Sequence, residues 1–207
     1  MTTFYGLNFV TNQDVLAPYK LTENLVDVAL RHIKDLDTCY VCDVGTGSGN
    51  ILISILANKK HAWGMGLDIS SKALAVAKEN AHLHHLDRRT IFEVSDCFSA
   101  LGHETFDIIT INPPYIGCKE YDSLPEKLKL RVPKFAITDG INGTSIIEKV
   151  VKLAPKYLNK NGWLVIECDT GQIPFVKQLL SSSWNSDSLE VTDCEISSIL
   201  AIQVVNN

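Results

Sequence analysis

A mostly parallel α/β sheet of seven strands, preceded by a short β-hairpin and closed by an antiparallel last strand, is the fold this sequence predicts. Two patterns predict it. The chain repeats one unit: a short β-rich apolar run, a glycine-containing or polar turn, then an amphipathic helical stretch, as in parallel strands joined by crossover helices. Its last two apolar runs are joined instead by the short Cys194-to-Ser198 connection. That leaves no room for a helix and makes them an antiparallel hairpin at one sheet edge. The chain has 207 residues, 45% hydrophobic and 21% charged. A chain of this size buries about 70% of its extended surface and needs no metal or disulfide staple.

In order, Phe4–Val10 and Val15–Ala17 flank the turn-like Thr11-Asn12-Gln13-Asp14 and read as the hairpin, which assigns residues 1–20 to that unit and 21–207 to the main domain. A helix follows from about Thr22 to Leu36. Strands are expected at Tyr40–Val44, Trp63–Leu67, Thr90–Val94, Phe106–Ile111, Gly162–Cys168, Leu189–Asp193 and Ile199–Val205. Between them, Ser71 suits the cap of a helix burying Leu74, Ala77 and Ala81. Ser145 and Glu148 have capping-box spacing before Ile147, Val150 and Val151, and Pro174 suits a first helical turn. The long irregular stretch from Asn112 to Gly143 is of a length that compact domains reserve for function.

The net charge of −5 argues against a general nucleic-acid or anionic-membrane binder. The N-terminus has no basic run leading into an apolar one, and the longest apolar stretch, Ile51 to Ala57, is far too short to span a bilayer. A cytoplasmic protein with no membrane partner is expected, with its six cysteines as reduced thiols. Cys39 and Cys42 lie in a strand, where residues three apart face opposite ways, so no metal site is assigned to them. His82 and His85 lack a third ligand and read as surface residues.

Chemistry enters at the first strand end. In Asp43-Val44-Gly45-Thr46-Gly47-Ser48-Gly49, backbone and helix N–H groups lie open to a ligand. A dinucleotide fingerprint would need Gly or Ala at position 50, where Asn50 stands, and the Gly-Lys-Ser/Thr of a triphosphate loop is missing. An acidic residue two positions before alternating glycines instead suits S-adenosylmethionine, with Asp43 facing its cationic groups. Asp68, ending the next strand, is in register to accept both ribose hydroxyls. Asp96, followed by Cys97 and Phe98, would meet the adenine amine and edge.

Asn112-Pro113-Pro114-Tyr115 ends the fourth strand, on the edge that carries the glycine turn. Two prolines fix φ and remove N–H donors, so the Asn112 side-chain oxygen and the Pro113 carbonyl present paired acceptors. That pair suits a planar –NH2 group, a poor nucleophile that must be oriented towards a methyl donor, and Tyr115 would stack on its plane. Holding both reactants at near-attack distance contributes up to roughly 7–11 kcal/mol. The motif itself accommodates a glutamine amide or an adenine or guanine amino group.

The Asp-x-Gly-Thr-Gly-Ser-Gly turn, Asp68-Ile69-Ser70, Asn112-Pro113-Pro114-Tyr115-Ile116, Pro133-x-x-Ala136 with Gly140-x-x-Gly143, and Glu167 with Gln172 resemble the HemK/PrmC protein-(glutamine-N5) methyltransferases. The resemblance covers roughly Phe4 to Leu180. It implies the Rossmann-like seven-stranded S-adenosylmethionine-dependent methyltransferase fold, that cofactor with S-adenosylhomocysteine as product, and methylation of the Gly-Gly-Gln glutamine of a peptide release factor. Asp43, Gly45, Thr46, Gly47, Gly49, Asp68, Ile69, Asp96, Cys97 and Asn112 would bind cofactor. Asn112, Pro113, Pro114 and Tyr115 would bind substrate, with Asn112, Pro113 and Tyr115 catalytic.

Bacterial members usually begin with a helical substrate-gripping domain, whereas this sequence starts at the hairpin; the resemblance then leaves two alternatives, a small partner subunit or another substrate altogether. The family's Pro-Arg-Pro-Glu-Thr-Glu is here Pro18-Tyr19-Lys20-Leu21-Thr22-Glu23, and the glycine two after Glu167 is Asp169. The alternative is an adenine or guanine amino methyltransferase acting on RNA or DNA. Nucleic acid is the less favoured substrate, although Lys119, Lys127, Lys129, Arg131 and Lys134 make one loop locally basic.

Overall fold

The computed structural model describes residues 1–34, 38–129, 132–184, 188–194 and 197–204, without the side chains of Leu128 and Ser183. The chain opens with β1 (Thr2–Phe4) and β2 (Leu7–Phe9), antiparallel, with Phe4 opposite Leu7. Tyr5 and Gly6 make the turn at φ 50° and 74°, the double positive φ that matches the twist of paired strands. The hairpin is therefore tighter than Phe4–Val10 with Val15–Ala17. A tyrosine is not an expected turn residue. Here Glu23 Oε1 accepts from its N–H at 2.8 Å and Asp27 Oδ1 from its hydroxyl at 2.6 Å. Val15–Ala17 is not a strand.

Helix α1 (Glu23–Arg31) ends at His32, before the expected Leu36; Asp35 and Leu36 lie outside the described residues. Then come β3 (Cys39–Val44), α2 (Asn50–Asn58), β4 (Ala62–Asp68), α3 (Ser71–Leu83), β5 (Thr90–Val94) and β6 (Phe106–Ile111). The cap of α3 is Ser70, whose hydroxyl accepts from the Ala73 N–H at 3.2 Å, one residue before the expected Ser71. Short helices α4 (Cys118–Ser123) and α5 (Glu126–Lys129) interrupt the long loop, followed by α6 (Ser145–Leu153), β7 (Leu158–Asp169), α7 (Ile173–Ser183), β8 (Leu189–Asp193) and β9 (Ser197–Gln203). Val205, expected to end the last strand, lies outside the described residues. The Ser145–Glu148 capping box does not form. Thr144 is the cap residue, and the Ser145 hydroxyl donates instead to Asp139 Oδ2 at 2.6 Å.

The main sheet has strand order β5-β4-β3-β6-β7-β9-β8. Its first five strands are parallel, and β9 pairs antiparallel with both β7 and β8. Alternation splits its side chains between two apolar layers. Val41 and Ile108 pack with α1, α2 and α3, together with Phe4 and Phe9 of the hairpin. Cys42, Val44, Ile109 and Ile111 pack with α6 and α7. Cys39 and Cys42 thus sit in opposite layers, both free thiols. Among the described residues, no helix is long and apolar enough to cross a membrane.

Chain order reverses between β3 and β6, which have connections leading away on either side. Ligands of open α/β sheets bind at such a switch point, beyond the carboxyl ends of the strands.

Candidate active site

Val44 pairs with Ile111, so Gly45 and Asn112 leave the sheet side by side. Val44 also pairs with Leu67, and Asp68 with Val94, which brings Asp68 and the Ser95–Cys97 turn to the same edge. Together they enclose a cavity of about 340 Å³, large enough for a nucleoside-sized ligand with an extension. Its wall includes Gly45, Thr46, Gly47, Asp68, Ile69, Asp96, Cys97, Asn112, Pro113 and Pro114. Asp43, Gly49 and Tyr115, also expected to bind, stand off that wall.

The glycine turn works differently from its expected role. The N–H groups of Gly45 and Thr46 donate to the Leu67 carbonyl at 2.7 and 2.9 Å, and that of Gly47 to Asp68 Oδ2 at 2.9 Å. Those donors hold the turn together and are not left for a ligand. What Gly45 and Gly47 provide is a bare contour at φ 71° and 55°. Gly49 is a packing glycine: a Cβ there would come within 3.0 Å of Ile53 and 3.2 Å of Ala77.

Asp43 lies beneath the turn, 1% exposed, accepting from the Thr46 and Thr110 hydroxyls at 2.7 Å each. It braces β3, β6 and the turn and does not touch the cavity. Burial pushes its carboxyl up to about 6, with the two threonine hydroxyls pulling it back. A folded-state value above the unfolded one means that protonation stabilises the fold; that contribution is present below about pH 4 and is lost as pH rises through about 6. From pH 4 to 7.5, Asp43→Asn should therefore gain on the wild type by at most about 3 kcal/mol of unfolding free energy in urea titrations. A constant difference between the two proteins would contradict this.

Asp68 is 7% exposed and accepts from Gly47 N through Oδ2 and from Ser70 N through Oδ1, both at 2.9 Å. Each oxygen keeps a further lone pair, so the fixed carboxylate suits a vicinal diol. Burial pushes it up and the two N–H groups oppose this. Asp96 is exposed and ion-paired with Lys149 Nζ at 2.6 Å, a partner the sequence did not suggest. Cys97 follows at φ 53°, its thiol pushed up to about 11 by burial against the pull of Lys149. Ile69 is 63% exposed and offers an apolar edge.

Asn112 donates through Nδ2 to Thr22 Oγ1 at 3.1 Å, and this contact leaves its Oδ1 uncommitted. The Tyr115 phenol is pushed up by burial and by Glu167. Its backbone is fixed: Gln172 Nε2 donates to the carbonyls of Tyr115 at 3.0 Å and Gly143 at 3.1 Å. Asp139 accepts from the Ser145 hydroxyl and from the N–H groups of Ile141, Gly143 and Ser145, at 2.6–3.0 Å. Burial acts against its ionisation, and these bonds outweigh that and hold it below the usual carboxylate range. Glu167, 1% exposed in β7, is pushed up by burial, with the Thr22 and Ser197 hydroxyls opposing.

Sequence reasoning missed the strip from Val15 to Tyr19, which lines the cavity together with Phe135 and Thr138. The strip carries no periodic signal, and only Pro18 within it marks it as irregular. It also missed Asp139, although an aspartate before Gly140-x-x-Gly143 is a turn-forming pattern. The basic loop is partly self-contained: Lys129 pairs with Glu126 at 3.1 Å, and Lys134 lies 5.0 Å from the Tyr121 ring centre. Arg131 lies outside the described residues. His82 pairs with Asp87 at 3.0 Å.

A methyltransferase-domain family model matches residues 35–199. A release factor glutamine methyltransferase of Geobacter sulfurreducens is 36% identical over 190 residues, 92% of this chain and 66% of that protein. One of Caulobacter vibrioides is 30% identical over 203 residues, 98% of this chain and 70% of the relative. The chain thus spans about two thirds of the length of these curated relatives. Among solved structures, a ribosomal protein L11 methylase from Lactobacillus delbrueckii subsp. bulgaricus superposes with a TM-score of 0.67 at 21% identity, covering 92% of this chain and 81% of that one. It shares the fold. With that sheet, its switch-point cavity and this identity over nearly the whole chain, the protein belongs to the release factor glutamine methyltransferase family.

Proposed function

We propose that this chain is an S-adenosylmethionine-dependent N-methyltransferase that methylates the side-chain amide of a protein glutamine, the Gly-Gly-Gln residue of a peptide release factor. The observation that carries the reading is the register pair Val44–Ile111, which sets the glycine turn and Asn112-Pro113 against one cavity. The cofactor is S-adenosylmethionine, which supplies an electrophilic methyl group.

Around it, Asp68 accepts the ribose hydroxyls, Gly45 and Gly47 allow close backbone approach, and Asp96, Cys97 and Ile69 meet the base. Asn112 Oδ1 and the Pro113 carbonyl accept the two amide hydrogens and so aim the nitrogen lone pair along the transfer line. Pro114 stiffens that presentation. Tyr115 contributes through the backbone that Gln172 holds, while the half-exposed rings of Tyr19 and Phe135 line the cavity and limit water. The proton leaves after transfer, when the product nitrogen is acidic, so no general base is required.

Asp68→Asn should weaken S-adenosylhomocysteine binding about 10–100-fold by calorimetry, the scale of a hydrogen bond to a charged group. Unchanged affinity would remove Asp68 from the cofactor site.

The reaction is tested by incubating the protein with labelled S-adenosylmethionine, a release factor carrying Gly-Gly-Gln and bulk RNA, then locating the label by mass spectrometry. Label on the glutamine is expected, and label on RNA alone would overturn the reading. The same assay addresses the cytoplasmic partner subunit that we propose assists this chain: full activity of the isolated chain would argue against it.

A further inference from the structure

We propose that Asn80 is a positioning residue that pins the cavity-lining strip before α1 to the glycine turn and so sets which side chains of that strip face the reactants. The inference rests on the reading of the cavity as the methyl-transfer site.

Asn80 lies in α3 and is fully buried. Its side chain makes three hydrogen bonds, all to backbone. Oδ1 accepts from the Val10 N–H at 2.7 Å, and Nδ2 donates to the Val10 carbonyl at 3.0 Å and to the Ser48 carbonyl at 2.9 Å. Backbone groups have fixed polarity, so the amide satisfies all three in one orientation only. Ser48 belongs to the glycine turn, and Val10 follows β2 on the way to the strip from Val15 to Tyr19. One buried amide thus joins two segments of the chain that both lead into the cavity.

The segment after Val10 lies along one face of α3. Positions 73, 76 and 80 are spaced three and four apart and share that face. Asn80 holds Val10 at one end of it, and the buried Val15 packs on Ala73 and Val76 towards the other, beside the Asp14–Lys72 ion pair at 3.8 Å. Apolar contact is non-directional, and an ion pair with an exposed lysine is weak, so these two ties hold the segment to the helix without fixing its place along it. Successive side chains of an extended chain point opposite ways, and a slip by one residue would exchange those facing α3 for those facing the cavity. Bonds to both the N–H and the carbonyl of Val10 oppose that slip, as a neighbouring strand would. The hairpin does not depend on them: Phe4 and Phe9 are fully buried, and His84 Nε2 lies 2.9 Å from the Asn8 carbonyl oxygen.

The test uses the full chain. Asn80→Ala removes all three bonds, and Asn80→Asp keeps the shape but sets a second oxygen against the two carbonyls. Val10→Pro, at a half-buried position, removes one N–H from the side of the strip alone. Each variant should lower kcat on the Gly-Gly-Gln substrate roughly 10–100-fold, the scale of a small misplacement in a site. S-adenosylhomocysteine affinity should stay within about threefold, because Asp68 is held by Gly47 and Ser70. The double variant of Asn80→Ala with Val10→Pro should be no slower than Asn80→Ala, since both break one tie. With S-adenosylhomocysteine bound, amide exchange over residues 11–19 should be faster by about tenfold or more in each variant and unchanged in β3 and β6. Leu180→Ala, buried in the layer opposite α3, controls for lost stability and should keep both kcat and the exchange of the strip. Asn80→Asp matching the wild type would show that shape alone matters, and losses that multiply in the double variant would show two unrelated roles; either overturns the proposal. So would a cofactor affinity that falls as far as kcat. If the Asn80 variants fail to fold, Val10→Pro decides alone. If the wild type transfers no methyl to glutamine while exchange of the strip still responds, the substrate reading fails and the pin stands; exchange that ignores every variant ends the proposal whatever the activity.

Discussion

Asn112→Ala is expected to lower turnover on a Gly-Gly-Gln substrate by about 100–1000-fold while S-adenosylhomocysteine affinity changes by less than about twofold. The magnitude is that of deleting one preorganised polar group from a transition-state site, and here the deleted group is the acceptor that orients the nucleophile. Cofactor affinity should survive because the polar groups proposed to hold the cofactor are elsewhere: Asp68 is fixed by Gly47 and Ser70, and Asp96 by Lys149. Losing the Thr22 bond perturbs only the start of α1. Steady-state kinetics with calorimetry checks this, and a comparable loss in both would mean that Asn112 serves chiefly to hold the cofactor.

Gly143→Ala should have the second large effect, and the reason is steric. Gly143 sits at φ 81°, and an added Cβ would overlap the Tyr115 carbonyl oxygen and approach Gly117 N at 3.0 Å. The loop bearing Asp139 and the segment bearing Asn112 to Tyr115 would have to separate. Gln172, which bridges the carbonyls of both, could then keep only one partner. Positive-φ strain of about 1–2 kcal/mol adds to the clash. We expect the melting temperature to fall by about 4–10 °C and kcat by about 10–100-fold. Gly140→Ala is the control: its φ of 74° is similar, but nothing lies within 4 Å of the new Cβ, so only the smaller strain should show. Equal losses in the two variants would disprove the clash.

These two sites differ in how legible they were. Asn112-Pro113-Pro114-Tyr115 was readable because proline and asparagine act locally, and the apolar run before them had to be a strand. The parallel sheet was legible for the same reason: runs such as Phe106–Ile111 admit burial on both faces. Features set by distant partners were not legible. Asp43 was expected to meet the ligand, but Thr110, 67 residues away, shares its carboxylate with Thr46. The Asp96–Lys149 pair joins a strand-end turn to a helix on another part of the chain, and no spacing rule connects them. Ser145 looked like a helix cap, yet Asp139 competed successfully for its hydroxyl. The hairpin was misplaced because Tyr5 adopts a glycine-like φ held by Glu23 and Asp27. Local chemistry thus placed the motifs at the strand ends, while tertiary bonds decided which of their residues line the cavity.

The most direct measurement is a crystal structure of the protein with S-adenosylhomocysteine and a Gly-Gly-Gln peptide. The account predicts the glutamine side-chain nitrogen between Asn112 Oδ1 and the Pro113 carbonyl, roughly 3–3.5 Å from the place the methyl carbon occupies in the reactive cofactor. A glutamine bound elsewhere, or a cofactor sulfur directed away from Asn112, would contradict it.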